Sequence, residues 1–240
     1  MSDFAQDIRR LALNAGADFF GVADLTPAHE AVVAQGGESL AEFPRAIAIG
    51  IRLPDAILEQ LTQHEDPEIA QEYEKVYDDT NRELDRIAMC IVDHLLKSDN
   101  KAFAVCASHR VDDDRLCGIF SHKLAAHLAG LGWIGKSCLL ITQKAGPRVR
   151  WATVLTDSNL SPTGHLVEEA CGECKRCVDI CPAKAFTGKS FRAWEAREVR
   201  FAAQKCKIYT VKRTKEMGSR VLCGLCMSVC PHGKREDVQN

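Results

Sequence analysis

Two cysteine runs near the carboxyl end decide how this chain folds. Residues 171–182 read CGECKRCVDICP and residues 223–231 read CGLCMSVCP. Both runs end in the pattern C-x-x-C-x-x-x-C-P, and the first run has one further cysteine in front of that ending. In the second run the corresponding cysteine is Cys206, seventeen residues upstream of Cys223. The eight thiols therefore form two sets of four.

The unbroken run has the spacing with which bacterial two-cluster ferredoxins hold iron and sulfide. Three cysteines at this spacing can wrap one face of a cubane cluster, and the proline then turns the chain away, so the fourth thiolate serves the other cluster. This crossing predicts two 4Fe-4S clusters. The predicted ligands of cluster 1 are Cys171, Cys174, Cys177 and Cys230, and those of cluster 2 are Cys181, Cys206, Cys223 and Cys226.

Zinc and disulfides are the alternatives for these cysteines. Paired C-x-x-C units bind zinc, but a structural zinc site needs neither a third cysteine two residues on nor the two C-P endings. Disulfides need an oxidising compartment. The amino end lacks the apolar segment of a signal peptide, and no apolar run is long enough to cross a bilayer. We therefore expect a soluble, cytoplasmic protein without membrane association, in which the cysteines bind metal.

Length and charge suggest two unlike halves. The 240 residues are 46% hydrophobic, enough for one sizeable core and a small lobe built around cofactors. Residues 1–165 carry 16 Lys and Arg against 24 Asp and Glu, whereas residues 166–240 carry 15 against 9. The basic charges offset the negative clusters, or they attract an acidic partner such as an electron donor or RNA.

Strands and helices alternate through the first 165 residues. Asp66-Pro67 followed by apolar residues at three- and four-residue spacing predicts the longest helix, which ends near residue 97. A second, charged helix is predicted at 191–204, between the cysteine runs. Apolar runs predict strands at 19–22, 46–51, 103–106, 138–142 and 150–156. The pattern predicts an α+β fold, with a mixed sheet flanked by helices and a small two-cluster ferredoxin-like domain.

The predicted domain boundary lies in the segment 158–164, which is rich in Ser, Pro, Thr and Gly. We therefore predict one domain at 1–163 and a double-cluster domain at 164–240.

Residues 130–137 read GLGWIGKS, which matches both the P-loop pattern and G-x-G-x-x-G. Those phosphate sites need a strand before the loop and a helix after it. Here a predicted helix at about 121–129 enters the loop and an apolar, strand-like run leaves it, so the order is reversed. The glycines instead predict a helix-to-strand turn with positive φ angles, or a loop against which a flat cofactor can lie.

Several stretches together resemble one known family. AGLGWIGKS at 129–137, WATVLTD at 151–157 and the two cysteine runs closely resemble the epoxyqueuosine reductase family and, more distantly, the corrinoid reductive dehalogenases. GADFFGVADL at 16–25 and FPRAIAIGIRLP at 43–54 resemble the amino-terminal region of the same family. The resemblance extends from about residue 5 to residue 232. The tRNA-acting members continue further after the second cluster, so the resemblance indicates a shortened member.

This resemblance implies a nitroreductase-like domain with base-off cobalamin between it and the double-cluster domain. Electrons would pass from a low-potential donor of the ferredoxin or flavodoxin type through the clusters to cobalt. The reduced centre would act on a small molecule or a modified nucleoside, with tRNA as a further candidate partner. The alternatives are an electron carrier that reduces a corrinoid or flavin on a partner protein, and a reductase with FMN in the first domain.

The resemblance also suggests site residues. The family's catalytic aspartate would fall fifteen residues before Leu131, where this chain has Leu116. Asp112 and Asp114 nearby, together with His122, are the candidate catalytic residues. The alternatives for them are an exposed acidic turn and a structural histidine. The candidate corrinoid-binding residues are His109, Arg110, Gly132, Trp133, Gly135, Lys136 and Ser137.

Overall fold

The computed structural model describes residues 3–193, 195–218 and 220–234. The α-helices are α1 (Asp3–Asn14), α2 (His29–Gly36), α3 (Glu38–Ala41), α4 (Asp55–Gln60), α5 (Pro67–Leu96), α6 (His122–Leu128), α7 (Arg176–Asp179), α8 (Ala203–Met217) and α9 (Leu225–Ser228). Short 3-10 helices span Thr26–Ala28, Leu61–Gln63 and Arg197–Val199. The strands are β1 (Phe19–Asp24), β2 (Arg45–Arg52), β3 (Ala102–Val105), β4 (Trp133–Ile134), β5 (Leu140–Ile141) and β6 (Val149–Thr156).

The main sheet has the strand order β1-β2-β6-β3, and each neighbouring pair is antiparallel. The predicted mixed sheet is therefore wrong, although the α+β class is confirmed. Strands β2 and β3 do run in the same direction and are joined by the crossover helix α5, as in a β-α-β unit. Strand β6 lies between them and pairs with both, so no parallel pair is hydrogen-bonded in this sheet.

Helix α5 begins and ends where the sequence predicts. The side chain of Asp66 accepts hydrogen bonds from the backbone N–H groups of Glu68 and Ile69, and Pro67 occupies the first turn, where its missing N–H costs nothing. The apolar face of α5, including Leu84, packs against the sheet. Neither α5 nor another helix of the described ranges is long and apolar enough to cross a membrane.

Strand β2 separates two cores because its side chains alternate between the faces of the sheet. Ile47 and Ile49 point toward α1 and α5. Ala46 and Ala48 belong to the core on the opposite face, which includes Ala125 of α6. Small side chains on that face let α6 approach the sheet closely. Helix α6 in turn positions the glycine-rich turn that follows it.

A third, smaller core joins the cysteine-rich region to the first half of the chain. Leu61 and Tyr73 pack there with Met227 of α9. A Cβ atom on Gly224 would lie 2.5 Å from Cδ1 of Leu61, so the backbone of the second cysteine run touches this core directly. The second run therefore packs against α5 and against the 3-10 helix Leu61–Gln63 that precedes α5.

The helix predicted at 191–204 is wrong. Phe201 forms a β-bridge with Phe186, and the N–H of Ala202 donates to the carbonyl of Ala185. This pairing keeps Phe201 and Ala202 out of a helix, so α8 begins at Ala203 and places Cys206 in its first turn. Trp194, within the predicted helix, lies outside the described residues.

Candidate iron-sulfur site and the turn beside it

The four thiols predicted for cluster 1 lie together. Burial, together with the nearby thiols of Cys230, Cys171 and Cys174, raises the pKa of Cys177 to about 11. Burial also raises the pKa of Cys230, and Cys171 and Cys174 again lie close enough to add to the shift. The structure thus brings the last cysteine of the second run to the first three of the first run.

The four thiols predicted for cluster 2 form a matching group. Burial raises the pKa of Cys223 to about 11, with the thiols of Cys206 and Cys181 contributing. The pKa of Cys206 is raised by burial and by Cys181. Cys226 is half-buried in the same group, and burial raises its pKa well above the usual value. Cys181, the last cysteine of the first run, therefore lies among the cysteines of the second.

The two groups adjoin each other at one point. Among the thiols that raise the pKa of Cys226, three belong to its own group and the other is Cys177 of the neighbouring group. Cofactors held by the two groups would therefore be next to each other, as electron transfer between them requires.

Hydrogen-bond donors surround the sulfur atoms. The indole N–H of Trp133 donates to Sγ of Cys171 at 3.5 Å, and the backbone N–H of Ala185 donates to Sγ of Cys181 at 3.4 Å. The backbone N–H groups of Leu225 and His232 donate to the thiols of Cys223 and Cys230. Such donors stabilise cluster-bound thiolates and help to set the reduction potential.

The chemistry of these thiols suits metal ligation. Buried thiols with raised pKa values stay protonated near pH 7, and a metal centre can displace those protons and become the favoured occupant. Across the described ranges, no three His, Cys, Asp or Glu side chains converge as ligands of a single ion would. Ligation of iron by these eight residues stays a prediction.

Two buried cations fasten the loops that carry these cysteines. Nζ of Lys136 contacts the carbonyl of Gly172 and donates to the carbonyl of Cys174 at 3.3 Å. Arg148, only 1% exposed, donates to the carbonyl of His232 at 2.8 Å and to that of Cys230 at 3.3 Å. Both side chains place positive charge beside the cluster 1 thiols, which favours thiolates there.

The glycine-rich turn lies under the first cysteine run. Residues 132–138 are all buried, and a Cβ atom on Gly132 would lie 2.1 Å from the carbonyl oxygen of Ile141. A Cβ atom on Gly135 would lie 3.1 Å from Sγ of Cys171. The glycines therefore make room for the β4–β5 hairpin and for a cysteine. The strand predicted at 138–142 is correspondingly reduced to Leu140–Ile141.

The predicted corrinoid-binding residues divide into two separate groups. The ring of Trp133 packs edge-on against His232 at 4.9 Å between centroids, and Lys136 and Ser137 are buried. A Cβ atom on Gly132 or on Gly135 would meet protein atoms within about 3 Å. Corrinoid binding by these residues stays a prediction. His109 and Arg110 instead lie on an exposed loop, where Arg110 pairs with Asp113 at 3.6 Å.

The predicted catalytic aspartates lie on the same loop. Oδ1 of Asp112 accepts the backbone N–H of Asp114 at 2.9 Å and that of Arg115 at 2.7 Å. This geometry is a local turn stabilised by an aspartate side chain. Asp114 is exposed, and its carbonyl accepts a hydrogen bond from the Gln204 side chain at 2.8 Å. The loop thus contacts α8 two residues before Cys206. The catalytic role of Asp112 and Asp114 stays a prediction.

Known proteins share parts of these features. Residues 170–233 match the family model of the 4Fe-4S double cluster binding domain. The epoxyqueuosine reductase of Bacillus anthracis is 30% identical over 124 residues, which are 51% of this chain and 32% of that protein. This chain is therefore similar to the epoxyqueuosine reductases over about half of its own length. It spans about a third of the length of the curated relatives it matches.

Two solved structures have the same fold as this chain. A catabolic reductive dehalogenase matches with a TM-score of 0.74 at 20% identity, over 99% of this chain and 33% of the other. An epoxyqueuosine reductase crystal structure matches with a TM-score of 0.59 at 19% identity, over 97% of this chain and 66% of the other. At 19–20% identity, these two likenesses show that the fold is shared.

Charged side chains also lie near Cys138 and Cys226, and among them Arg197 and Arg200 were not singled out from the sequence. Buried Arg200 donates to Sγ of Cys138 at 3.7 Å, and Nζ of Lys123 donates to the carbonyl of Cys138 at 2.6 Å. Arg197 and Cys226 are electrostatic neighbours of Lys123, whose pKa is lowered by burial. Arg197 and Arg200 fall in the segment predicted to be helical, where arginines suggest a solvated face, so no local pattern indicates their position near the cysteines.

His122 lies between two hydrogen-bond partners. The carbonyl of Cys106 can only accept, so Nε2–H of His122 donates to it at 3.1 Å, and Nδ1 lies 2.9 Å from the Thr153 hydroxyl, which can donate to the neutral imidazole. Burial is the main cause that lowers the pKa of His122 to about 4. The prediction that His122 protonates a substrate does not fit this environment.

We expect His122 to make the fold sensitive to acid. Because its folded-state pKa is below that of the unfolded chain, the stabilisation is complete above pH 6.5 and is lost as the pH falls toward 4. Urea unfolding at pH 7.5 and pH 5 should show a loss of about 2 kcal/mol attributable to this residue. His122→Gln, which cannot titrate, should lack that part of the loss. An equal acid loss in both proteins would contradict the assignment.

Proposed function

We propose that this protein is an iron-sulfur oxidoreductase of the epoxyqueuosine reductase type. In this proposal the cluster 1 thiols and the cluster 2 thiols, as defined above, each hold one 4Fe-4S cluster. The observation that carries the proposal is the crossing of the two runs, in which Cys181 lies with Cys206 and Cys223, and Cys230 lies with Cys177. Each bound cluster would supply a one-electron redox centre.

The residues around the thiols would support repeated change of charge at the two centres. Trp133 and the backbone N–H groups aimed at sulfur stabilise negative charge without moving. Lys136 and Arg148 hold the cluster 1 loops, while Lys123 is an electrostatic neighbour of Cys226. These fixed charges favour the reduced, more negative state on both sides.

We further propose that residues 1–163 form the nitroreductase-like half, which binds the electron acceptor, and that residues 164–240 form the double-cluster half. A corrinoid is one candidate acceptor, since one dehalogenase of the same fold is described as B12-dependent. In the turn at 132–137, protein atoms lie close beside the glycines. His109 and Arg110 stay candidates for binding the side groups of a corrinoid.

The substrate class follows from the relatives alone. One epoxyqueuosine reductase structure contains an epoxyqueuosine-modified tRNA stem loop. We propose a modified nucleoside or a small molecule as the substrate of this chain, with a low-potential ferredoxin or flavodoxin as the donor. Asp112 and Asp114, on the exposed loop, stay candidates for the proton donor.

A second candidate function is electron delivery to a cofactor on another protein. The observation that favours it is the filled turn: the backbone of Ile141 and the sulfur of Cys171 occupy the space beside Gly132 and Gly135. Under this alternative the chain carries electrons and performs no substrate chemistry itself.

An anaerobic titration separates the two functions. The reduced protein should be mixed with cob(II)alamin, and an epoxyqueuosine-containing tRNA stem loop should then be added to that mixture. The oxidoreductase proposal expects tight binding of base-off cob(II)alamin, seen by electron paramagnetic resonance, and oxidation of the clusters only when a substrate is present. A protein that keeps intact, reduced clusters but binds no cobalamin and converts no substrate would contradict the oxidoreductase proposal. That result would favour the carrier function.

A further inference from the structure

Helix α8 presents an unusual outer face. Its inner side holds Cys206 and contacts the first half of the chain through Tyr209, whose hydroxyl lies 2.8 Å from Nε2 of His64. The outer side exposes Ile208 by 66% and Val211 by 43%. Ile208 is the most exposed large hydrophobic side chain within the described ranges. Exposed apolar residues grouped on one helix face often mark an interaction site.

Positive charge surrounds these two apolar side chains. Lys207, Lys212 and Lys215 line a shallow groove of about 470 Å³ together with Ile208 and Val211. Glu216 also lines the groove, but Lys212 pairs with it at 3.8 Å. An apolar centre with a basic rim complements a protein whose docking face has an apolar centre and an acidic rim. Phosphate-backbone recognition would use the lysines but would leave Ile208 and Val211 in water.

The position of this face relates it to the redox centres. Cys206, predicted to ligate cluster 2, lies on the same helix two residues before Ile208. A partner on the outer face of α8 is therefore separated from cluster 2 by little more than the width of one helix, about 10 Å. Residues 166–240 as a whole carry 15 basic against 9 acidic residues, which would steer an acidic protein toward this half.

We propose that the outer face of α8 is the docking surface for an acidic, low-potential electron-donor protein, which delivers electrons to cluster 2. The inference rests on the proposed function, since it needs a cluster at Cys206. In the step itself the reduced donor loses one electron and cluster 2 gains it, and no covalent bond forms or breaks. Electron-transfer complexes of this kind are small and short-lived, which suits a single helix face.

The test compares two reductants in anaerobic stopped-flow experiments on the cluster-loaded protein. The probes are a photoreduced acidic flavodoxin and dithionite, which needs no docking surface. We expect Lys212→Glu/Lys215→Glu to lower the second-order rate with flavodoxin by on the order of tenfold at low salt, and to weaken its salt dependence. The dithionite rate should stay unchanged. Ile208→Ala should also slow reduction by flavodoxin, without changing the salt dependence.

The matched control is Lys97→Glu/Lys101→Glu, which makes the same charge change on exposed lysines of the first half. It should change the flavodoxin rate less than twofold. Equal effects of the two double variants, or an unmodified protein that flavodoxin does not reduce, would overturn the proposal. So would a weaker affinity for a tRNA stem loop in the α8 variant with an unchanged flavodoxin rate. If dithionite also reduces no cluster, the proposed function itself fails, which is a separate outcome.

Discussion

Replacing Cys181 with alanine will remove the cluster held mainly by the second cysteine run and leave the other cluster largely intact. Cys181 belongs to the first run in sequence, but its sulfur lies with those of Cys206 and Cys223. Losing one of four thiolates should lower the iron content from about eight to about four atoms per chain, since each cubane holds four. Iron analysis and electron paramagnetic resonance of the reduced protein measure this directly.

The variant to compare with Cys181→Ala is Cys177→Ala. It should remove the electron paramagnetic resonance signal of cluster 1, since Cys177 lies with Cys171, Cys174 and Cys230. Cys90→Ala is the control, because Cys90 lies on α5 outside both groups, and it should keep all the iron. The crossed assignment is wrong if Cys181→Ala removes only the signal that Cys177→Ala removes.

Gly132→Ala should destabilise the protein strongly. The new Cβ atom would lie 2.1 Å from the carbonyl oxygen of Ile141, so the β4–β5 hairpin would have to open. Overpacking of rigid backbone costs about 3 kcal/mol or more. The same opening would shift the neighbouring Trp133, which donates to Cys171. We therefore expect a lower thermal midpoint together with a perturbed cluster 1 signal.

Gly218→Ala is the matched control for that variant. Gly218 has a φ of +70°, but a Cβ atom there would meet none of the described residues within 4 Å, so the cost should be only the backbone strain of about 1 kcal/mol. If the glycines of the turn instead leave room for a flat cofactor, Gly132→Ala should reduce cobalamin binding with little change in stability. That outcome would contradict the filled-turn interpretation.

Much of the architecture follows from local sequence signals. Asp66-Pro67 predicts the start of α5 because an aspartate cap and a proline satisfy the first turn. The run 46–51 predicts a central strand because it is apolar on both faces. The order of strands could not be predicted in the same way. Nothing local in residues 149–156 indicates that this late strand inserts between β2 and β3 and makes the sheet antiparallel.

The candidate site was predictable to a different degree in each part. Cysteine spacing is set by the shape of the cluster, so the sets of four follow from the sequence, although their ligation of iron stays a prediction. Gly132 and Gly135 carry no such information, since the same glycines permit a cofactor or a close backbone contact. The neutral state of His122 depends on Cys106 and Thr153, which are distant in the chain.

Metal and sulfide content of the anaerobically purified protein tests the central claim most directly. Two 4Fe-4S clusters predict about eight iron atoms and eight sulfide ions per chain. Reduction should produce an electron paramagnetic resonance signal broadened by interaction between the adjacent centres, because Cys177 and Cys226 are neighbours. About two zinc ions per chain with no sulfide would contradict the claim, and so would about four iron atoms in a single cluster.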